Sequence, residues 1–271
     1  MEKKEMSELD KARNALLEMY KIWAAQLDDS LLTDDYSNPY YVSIPDDWFK
    51  SDNRIMIVGE EGAGEWGAGK TYGWKKDEKS WGVSDFDKII EYNRIKMLKM
   101  IKEDELKEDE KSLCENKGGN FWKRFKKIYD FGYPCIWNNL DKIHRIKNGC
   151  VLSSDERQKL HSTHIKILAE EIRILNPTIV VFCGWNNRKD AFRLEFPEND
   201  GVYEKFFKKN NGKYECEQYK NEDKLYDIYY MKKDSITYIL TKHPGWRGKC
   251  KPKNYEDTVL KIIYKYSKEN N

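Results

Sequence analysis

The chain has 271 residues, with 49 basic and 47 acidic side chains for a formal net charge of +2 and a mean hydropathy of -0.90; this gives room for one large domain or two small ones. No run of about 18 apolar residues occurs, and the start MEKKEMSELD has no apolar core, so neither a membrane span nor a conventional secretory leader is expected and the cytosol is the expected address. The near-neutral sum offers phosphates no bulk field, so nucleic-acid binding would need uneven placement of charge.

In chain order, Leu9, Ala12, Leu16, Met19, Tyr20 and Trp23 recur at threes and fours and predict a packing helix over residues 3–27. An acidic, aromatic stretch punctuated by Asn38-Pro39 and Ile44-Pro45 reads as a loop wrapped on the domain. Arg54-Ile-Met-Ile-Val58 reads as a buried strand feeding the glycine-dense segment Gly59 to Gly73. Three further runs behave alike: Cys135-Ile-Trp137 into Asn138-Asn139, Thr178-Ile-Val-Val-Phe182 into Cys183-Gly184-Trp185, and Ile236-Thr-Tyr-Ile-Leu240 into Thr241-Lys242-His243-Pro244-Gly245. Between the second and third, Ser154 to Leu175 predicts one amphipathic helix with Ile165, Leu168, Ile172 and Leu175 on a face, stopped by Asn176-Pro177.

Four strands separated by helical segments predict an α/β fold with a largely parallel central sheet, as one domain over residues 1–271. Residues 86–117 and 196–224 read as insertions: Met100 to Lys111 as a solvated Lys/Glu-rich helix, the second insertion as a hairpin or mobile loop. The six cysteines include no C-x-x-C pair, so free thiols are expected. His161 and His164 show no acidic or cysteine partner and read as polar helix-start residues, with no metal site expected.

Open α/β sheets bind ligands beyond the carboxyl ends of their strands, where this chain delivers its polar clusters; one site can collect Glu60, Glu61, Asn139 and His243. Gly64 to Thr71 also matches the phosphate-loop pattern G-x-x-x-x-G-K-T. Its context is poor: the strand is expected to end at Val58, Tyr72-Gly73-Trp74 is a weak helix start, and no later strand is seen to end in an acid that could hold magnesium. A nucleotide hydrolase is the weakest alternative, and no nucleotide cofactor is expected.

Together the four strand ends resemble the motif set of the uracil-DNA glycosylase superfamily, over roughly residues 52–84, 130–190 and 234–252. Val58-Gly59-Glu60-Glu61-Gly62-Ala63-Gly64 is similar to the family's first loop, which implies Glu61, with Glu60 beside it, as the group that positions water. Gly69 to Gly73 stands where an aromatic stacks on the flipped base, a role that falls to Tyr72. Ile136-Trp137-Asn138-Asn139-Leu140 is similar to the strand whose asparagine reads the pyrimidine edge, with Asn139 preferred over Asn138. Asn176-Pro177 to Gly184 adds a further similarity, and His243-Pro244-Gly245-Trp246-Arg247 resembles the last motif, with Arg247 or Trp246 as the wedge that fills the vacated stack.

The resemblance implies a three-layer α/β/α fold with a four-stranded sheet, DNA as partner, no cofactor and a monomer. The sequence departs from the family at Gly62 for the usual proline, at glutamate for the usual aspartate, and at Gly245 for serine or alanine. These changes leave the base open between uracil and a bulky modified cytosine such as the glucosylated hydroxymethylcytosine of phage DNA, which some relatives excise in bacterial defence. The alternative is an inactive DNA-binding or sensor module on the same fold.

The chemistry suits these residue types. Cleaving the glycosidic bond leaves positive charge on the sugar and negative charge on the base; a donor such as His243 against the base oxygen contributes about 3 to 4 kcal/mol. A carboxylate, Glu61 or Glu60, can stabilise the sugar cation. Extrusion costs a few kcal/mol, recovered by stacking on Tyr72 and edge bonds to Asn139 beside Gly59. DNA contacts are expected from Lys242, Trp246, Arg247 and Lys249, with Lys251 and Lys253, and from Lys123, Arg124, Lys126 and Lys127 set among Phe121, Trp122 and Phe125. The first 50 residues are acidic and should repel DNA.

Overall fold

Four continuous apolar runs become parallel strands whose residues are buried on both faces. In the computed structural model, which describes residues 6–33, 35–61, 86–111, 119–145, 152–184, 189–196, 201–210, 213–221, 224–245 and 254–269, these are Ile55–Glu61 (β1), Cys135–Asp141 (β2), Ile179–Cys183 (β3) and, after four intervening strands, Ile236–Thr241 (β8). Every residue of β2, β3 and β8 is buried, as expected of parallel strands covered on both faces. The intervening strands are Lys209–Asn210 (β4), Lys213–Tyr214 (β5), Glu217–Asn221 (β6) and Lys224–Lys233 (β7). The main sheet has the order β2-β1-β3-β8-β7-β6, and β4 pairs with β5 apart from it. β1 runs parallel to β2 and β3, and β3 to β8; β7 and β6 continue antiparallel.

The sheet is therefore six-stranded, not four-stranded. The expected insertion at 196–224 supplies β6 and leads into β7, which turns back on β8 at Asp234-Ser235, with Asp234 in the left-handed region at φ 53°. The buried residues Tyr226, Ile228 and Met231 weld β7 to the core, and of the two expectations for the region, hairpin or mobile loop, it is the hairpin that is found: β4 pairs with β5 and β6 with β7, both antiparallel.

The helices are Glu8–Ala24 (α1), Phe86–Ile101 (α2), Glu108–Lys111 (α3), Asn120–Tyr129 (α4), Ser154–His161 (α5), Ile167–Leu175 (α6), Lys189–Glu195 (α7), Val202–Phe207 (α8) and Tyr255–Glu269 (α9). The Ser7 hydroxyl caps α1 by accepting from the Asp10 N–H at 3.1 Å, so this helix starts later than the expected residue 3. Residues Met100 to Lys111 hold the end of α2, a 3-10 turn at Glu103–Glu105 and the single turn of α3, not one solvated helix. α2 itself buries Ile89, Tyr92, Ile95 and Met97 and belongs to the core.

The single helix expected from Ser154 to Leu175 is two. His161, at the end of α5, turns its ring inward to Asp141 and Glu195. Lys166 Nζ donates to the carbonyl oxygens of His161 and Thr163, both at 2.9 Å, and Glu195 accepts from the Leu168 N–H at 2.9 Å, capping α6. These local bonds satisfy groups that a continuous helix would have paired along its own backbone. α6 ends at Asn176, in the left-handed region at φ 44°, with Trp48 Nε1 donating to the Leu175 carbonyl at 2.8 Å.

The stretch after α1 wraps the domain as expected. Ser37 N–H donates to the His144 carbonyl at 2.9 Å and Tyr40 N–H to that of Lys142 at 2.7 Å, so residues 36–41 run as a strap beside the chain that leaves β2. Cys135, Cys183 and Cys216 are buried free thiols. No described helix is long and apolar enough to cross a membrane.

Candidate functional site

The strand registers bring the polar ends into line. Gly59 on β1 stands opposite Asn139 on β2, and Glu61 opposite Asp141, while Cys183 at the end of β3 stands opposite Thr241 at the end of β8. β1 thus runs through Glu61, beyond the expected end at Val58, and β2 ends in an acid, which sequence reading did not foresee. Asp141 is not open to a metal ion: it accepts from Arg157 Nε at 3.0 Å and faces His161 Nε2 at 2.7 Å. The residues of the phosphate-loop match, 64–71, lie outside the described residues.

Gly59 is glycine for a steric reason. A Cβ there would lie 2.8 Å from Asn139 Oδ1 and 3.3 Å from Phe121 Cε2, closer than packed atoms tolerate. Asn139 is 2% exposed. Its backbone N–H donates to Asn138 Oδ1 at 2.8 Å, and its Oδ1 accepts from Trp137 Nε1 at 3.1 Å. Its Nδ2 is buried with no hydrogen-bond partner among the described residues. An unmet buried donor costs about 1 to 3 kcal/mol, a cost removed by any ligand that offers an acceptor.

α4 brings aromatic surface to this point. Phe121, half-buried, lies against Gly59 and packs edge-on against Trp122 with centroids 5.4 Å apart. Sequence reading took it as part of a basic DNA-binding segment and missed its place in the site; the signal was the spacing of Phe121, Trp122, Phe125 and Ile128, which marks a buried helix face. Arg124 corrects the same reading: it is 3% exposed and cannot meet DNA. Its Nη1 donates to Thr241 Oγ1 at 2.8 Å and to the Lys242 carbonyl at 3.1 Å, and its Nε donates to Glu256 Oε2 at 2.9 Å. It therefore ties α4 to the end of β8 and to α9.

His243 follows β8 on the surface. The Gly245 N–H donates to its Nδ1 at 3.1 Å; a backbone N–H can only donate, so Nδ1 accepts and the neutral ring carries its proton on Nε2. The turn thus presents an uncharged N–H donor. A Cβ at Gly245 would lie 3.1 Å from His243 Nδ1 and 3.8 Å from Asn120 Nδ2, which puts the first residue of α4 next to the histidine turn.

Glu60 is half-buried and lies over Gly184, just past β3. Gly184 has φ 99°, and a Cβ there would collide with the Glu60 carboxylate, 2.8 Å from its Cδ. Because β3 lies between β1 and β8 and the Gly184 N–H donates to the Thr241 carbonyl at 2.9 Å, Glu60 reaches across the sheet ends toward the strand that leads to His243.

Asn138 goes the other way. It is fully buried, and its Nδ2 donates to Glu171 Oε2 at 2.9 Å. Glu171 also accepts from Lys142 Nζ at 2.5 Å and, through Oε1, from the Tyr20 hydroxyl at 2.7 Å. Burial lowers the Lys142 pKa against the opposing pull of Glu171. Asn138 is thus a core residue. Lys242, expected on DNA, has its Nζ 3.6 Å from Asp227 Oδ2, and its backbone N–H donates to the Tyr255 hydroxyl at 2.9 Å.

His161 is no helix-start surface residue: its Nδ1 faces Glu195 Oε1 at 2.6 Å and its Nε2 faces Asp141. Burial lowers its pKa, but the bonds to Asp141 and Glu195 outweigh this and push it up to about 9. Tyr72, Trp246, Arg247 and Lys249, and the side chain of Glu61, lie outside what is described.

The fold and the site define an α/β protein that gathers a buried amide donor, an aromatic, a carboxylate and a neutral histidine at the carboxyl ends of its parallel strands, the usual ligand position in such sheets. Compared with known proteins, the chain matches no family model and no curated sequence.

Proposed function

We propose that the chain is a DNA glycosylase on a three-layer, uracil-DNA glycosylase-like frame, which flips a pyrimidine nucleotide and hydrolyses its N-glycosidic bond to leave an abasic site. The observation that carries this reading is the buried Nδ2 of Asn139 opposite Gly59, which has no hydrogen-bond partner among the described residues, a donor at the place where a base edge would sit. Phe121 supplies a stacking face next to it, in addition to the role the sequence suggested for Tyr72.

His243 donates from Nε2 to the base oxygen on which charge develops, and its proton need not leave the ring for this stabilisation. Glu60, with Glu61 following it, stabilises the positive sugar and orients the attacking water. The water oxygen bonds to C1′, the bond to the base nitrogen breaks, and the water's proton balances the departing base. Arg247, Trp246 and Lys249 are the proposed DNA contacts, with a monomer in the cytosol as the working unit and uracil or a bulky modified cytosine as the base.

Incubating the protein with duplexes that carry uracil or glucosylated hydroxymethylcytosine, then scoring alkali-labile sites, tests the reading. Release from at least one duplex, lost in Glu60→Gln and His243→Ala, is expected. No release from any modified base by folded protein overturns it, and binding without release would mark a sensor module instead.

A further inference from the structure

Independently of the glycosylase reading, we infer that Lys142 and Asn138 form an isopeptide bond inside the core: the lysine nitrogen displaces the asparagine amide nitrogen as ammonia, with Glu171 as the proton carrier. The three side chains meet in one place. Lys142 follows directly on β2, and its Nζ donates to Asn138 Oδ1, four residues back. The nitrogen therefore stands within one further carbonyl bond length, about 1.2 Å, of Cγ, the carbon to be attacked. Glu171, on α6, meets both nitrogens with the same oxygen: Oε2 accepts from Lys142 Nζ at 2.5 Å and from Asn138 Nδ2 at 2.9 Å. One carboxylate oxygen thus reaches the nitrogen that must lose a proton and the nitrogen that must gain one.

The surroundings favour the reaction over the resting ion pair. The Lys142 and Glu171 side chains and Asn138 are all 0% exposed, so water neither screens the charges nor competes for Cγ. Two charges held there are costly to desolvate, and passing one proton from Nζ to Oε2 leaves a neutral amine and a neutral acid. Burial lowers the Lys142 pKa, and only the deprotonated amine is a nucleophile. The Tyr20 hydroxyl donates to Glu171 Oε1 at 2.7 Å and fixes the carboxylate. The Asn139 backbone N–H donates to Asn138 Oδ1 at 2.8 Å, the atom on which negative charge develops during attack, and so serves as an oxyanion donor.

The step balances within these groups. Nζ gives one proton to Glu171, and its lone pair bonds to Cγ as the carbonyl π pair moves to Oδ1. Glu171 hands its proton to Nδ2 and takes a second from Nζ. The carbonyl then re-forms, the bond from Cγ to Nδ2 breaks, and ammonia leaves. The products are a secondary amide, ammonia and neutral Glu171, with no oxidant or cofactor consumed. The bond replaces a buried charge pair and pins the chain where it leaves β2.

Intact-mass spectrometry of the full chain, freshly purified and after prolonged incubation at neutral pH, tests the inference. The wild type is expected to weigh less than its sequence by one ammonia, about 17 Da. Trypsin, which needs a free lysine side chain, should fail to cut after Lys142 and yield the peptide 128–145 carrying that deficit. Glu171→Gln keeps an amide in the same place but cannot carry the proton, and is expected to show the full sequence mass and a cut after Lys142. A merely structural network would leave the wild-type mass unchanged.

The full sequence mass in folded wild type overturns the inference. So does a chain lighter by ammonia that trypsin still cuts after Lys142, the pattern of an asparagine succinimide. An undiminished cross-link in Glu171→Gln overturns the role given to Glu171. If that variant does not fold, the wild-type mass and digest decide the matter alone. None of these outcomes touches base release, which the duplex assay reads separately.

Discussion

Arg124 Nη1 donates to Thr241 Oγ1 at 2.8 Å, joining the helix that carries Asn120 and Phe121 to the strand that leads into His243. Two parts of the site that are far apart in sequence are held at a fixed distance by one buried guanidinium. Arg124→Met removes the guanidinium that Glu256, the Thr241 hydroxyl and the Lys242 carbonyl share and is expected to cost about 3 kcal/mol of stability or more. Arg124→Lys should recover little of it, because an ammonium cannot span the same fork of acceptors. Urea denaturation of the three proteins checks both statements; full recovery by lysine would contradict the second.

Gly59 and Asn139 make the second prediction. A methyl at position 59 would press on Oδ1 at 2.8 Å and on the Phe121 ring, displacing the amide from its bond with Trp137. Gly59→Ala is expected to weaken base release by at least about tenfold while lowering stability by only about 1 to 2 kcal/mol. Single-turnover rates set beside thermal midpoints would separate the two effects.

Gly184 behaves differently because its backbone is itself restrictive. At φ 99° an L side chain is strained, and its Cβ would expel the Glu60 carboxylate. Gly184→Ala should therefore lose stability by about 1 to 3 kcal/mol and also activity, with Glu60→Gln reproducing the activity loss alone. Retained activity in both variants would remove Glu60 from the chemistry.

The two buried histidines predict opposite limbs of a pH profile. The His161 pKa is pushed up to about 9 from 6.5, so its contribution is complete below pH 6.5 and is lost as pH rises to about 9, on the order of 3 kcal/mol. His144 is pushed down to about 3 by burial and then by the Lys96 charge. Its contribution is present above pH 6.5 and is lost as pH falls toward 3. Urea midpoints measured from pH 4 to 9.5 should form a dome, with His161→Gln flattening the alkaline limb and His144→Gln the acid limb. A profile that neither variant alters would contradict both assignments.

The parallel strands were legible because burial on two faces demands unbroken apolar runs, and Ile55 to Val58 or Ile179 to Phe182 have few other uses. Their ends were less so. Glu60, Glu61 and Asp141 look like loop acids, yet the ladder carries them as strand, since pairing depends on backbone groups and not on polarity. Arg124 was misread because a sequence shows the charge of an arginine but not the three acceptors, on Thr241, Lys242 and Glu256, that hold it buried. The same holds for His161, whose carboxylate partners come from β2 and α7, 20 and 34 residues away. Glu60, Glu61, Asn139 and His243 were expected together from their place at strand ends; Phe121 was not, because its lysine neighbours suggested a surface.

The strap beside β2 also bears on how the chain reaches its fold. Ser37 is bonded to His144, and Tyr20 to Glu171, 151 residues later, so this segment waits for much of the chain that follows it before it can dock. Such distant pairing slows closure, and until it happens the backbone edge of Lys142 to Arg145, just past β2, stays available to any extended chain nearby. The acidic character of the first 50 residues gains a second use here: like charges on waiting chains keep them apart during the interval when the edge is open.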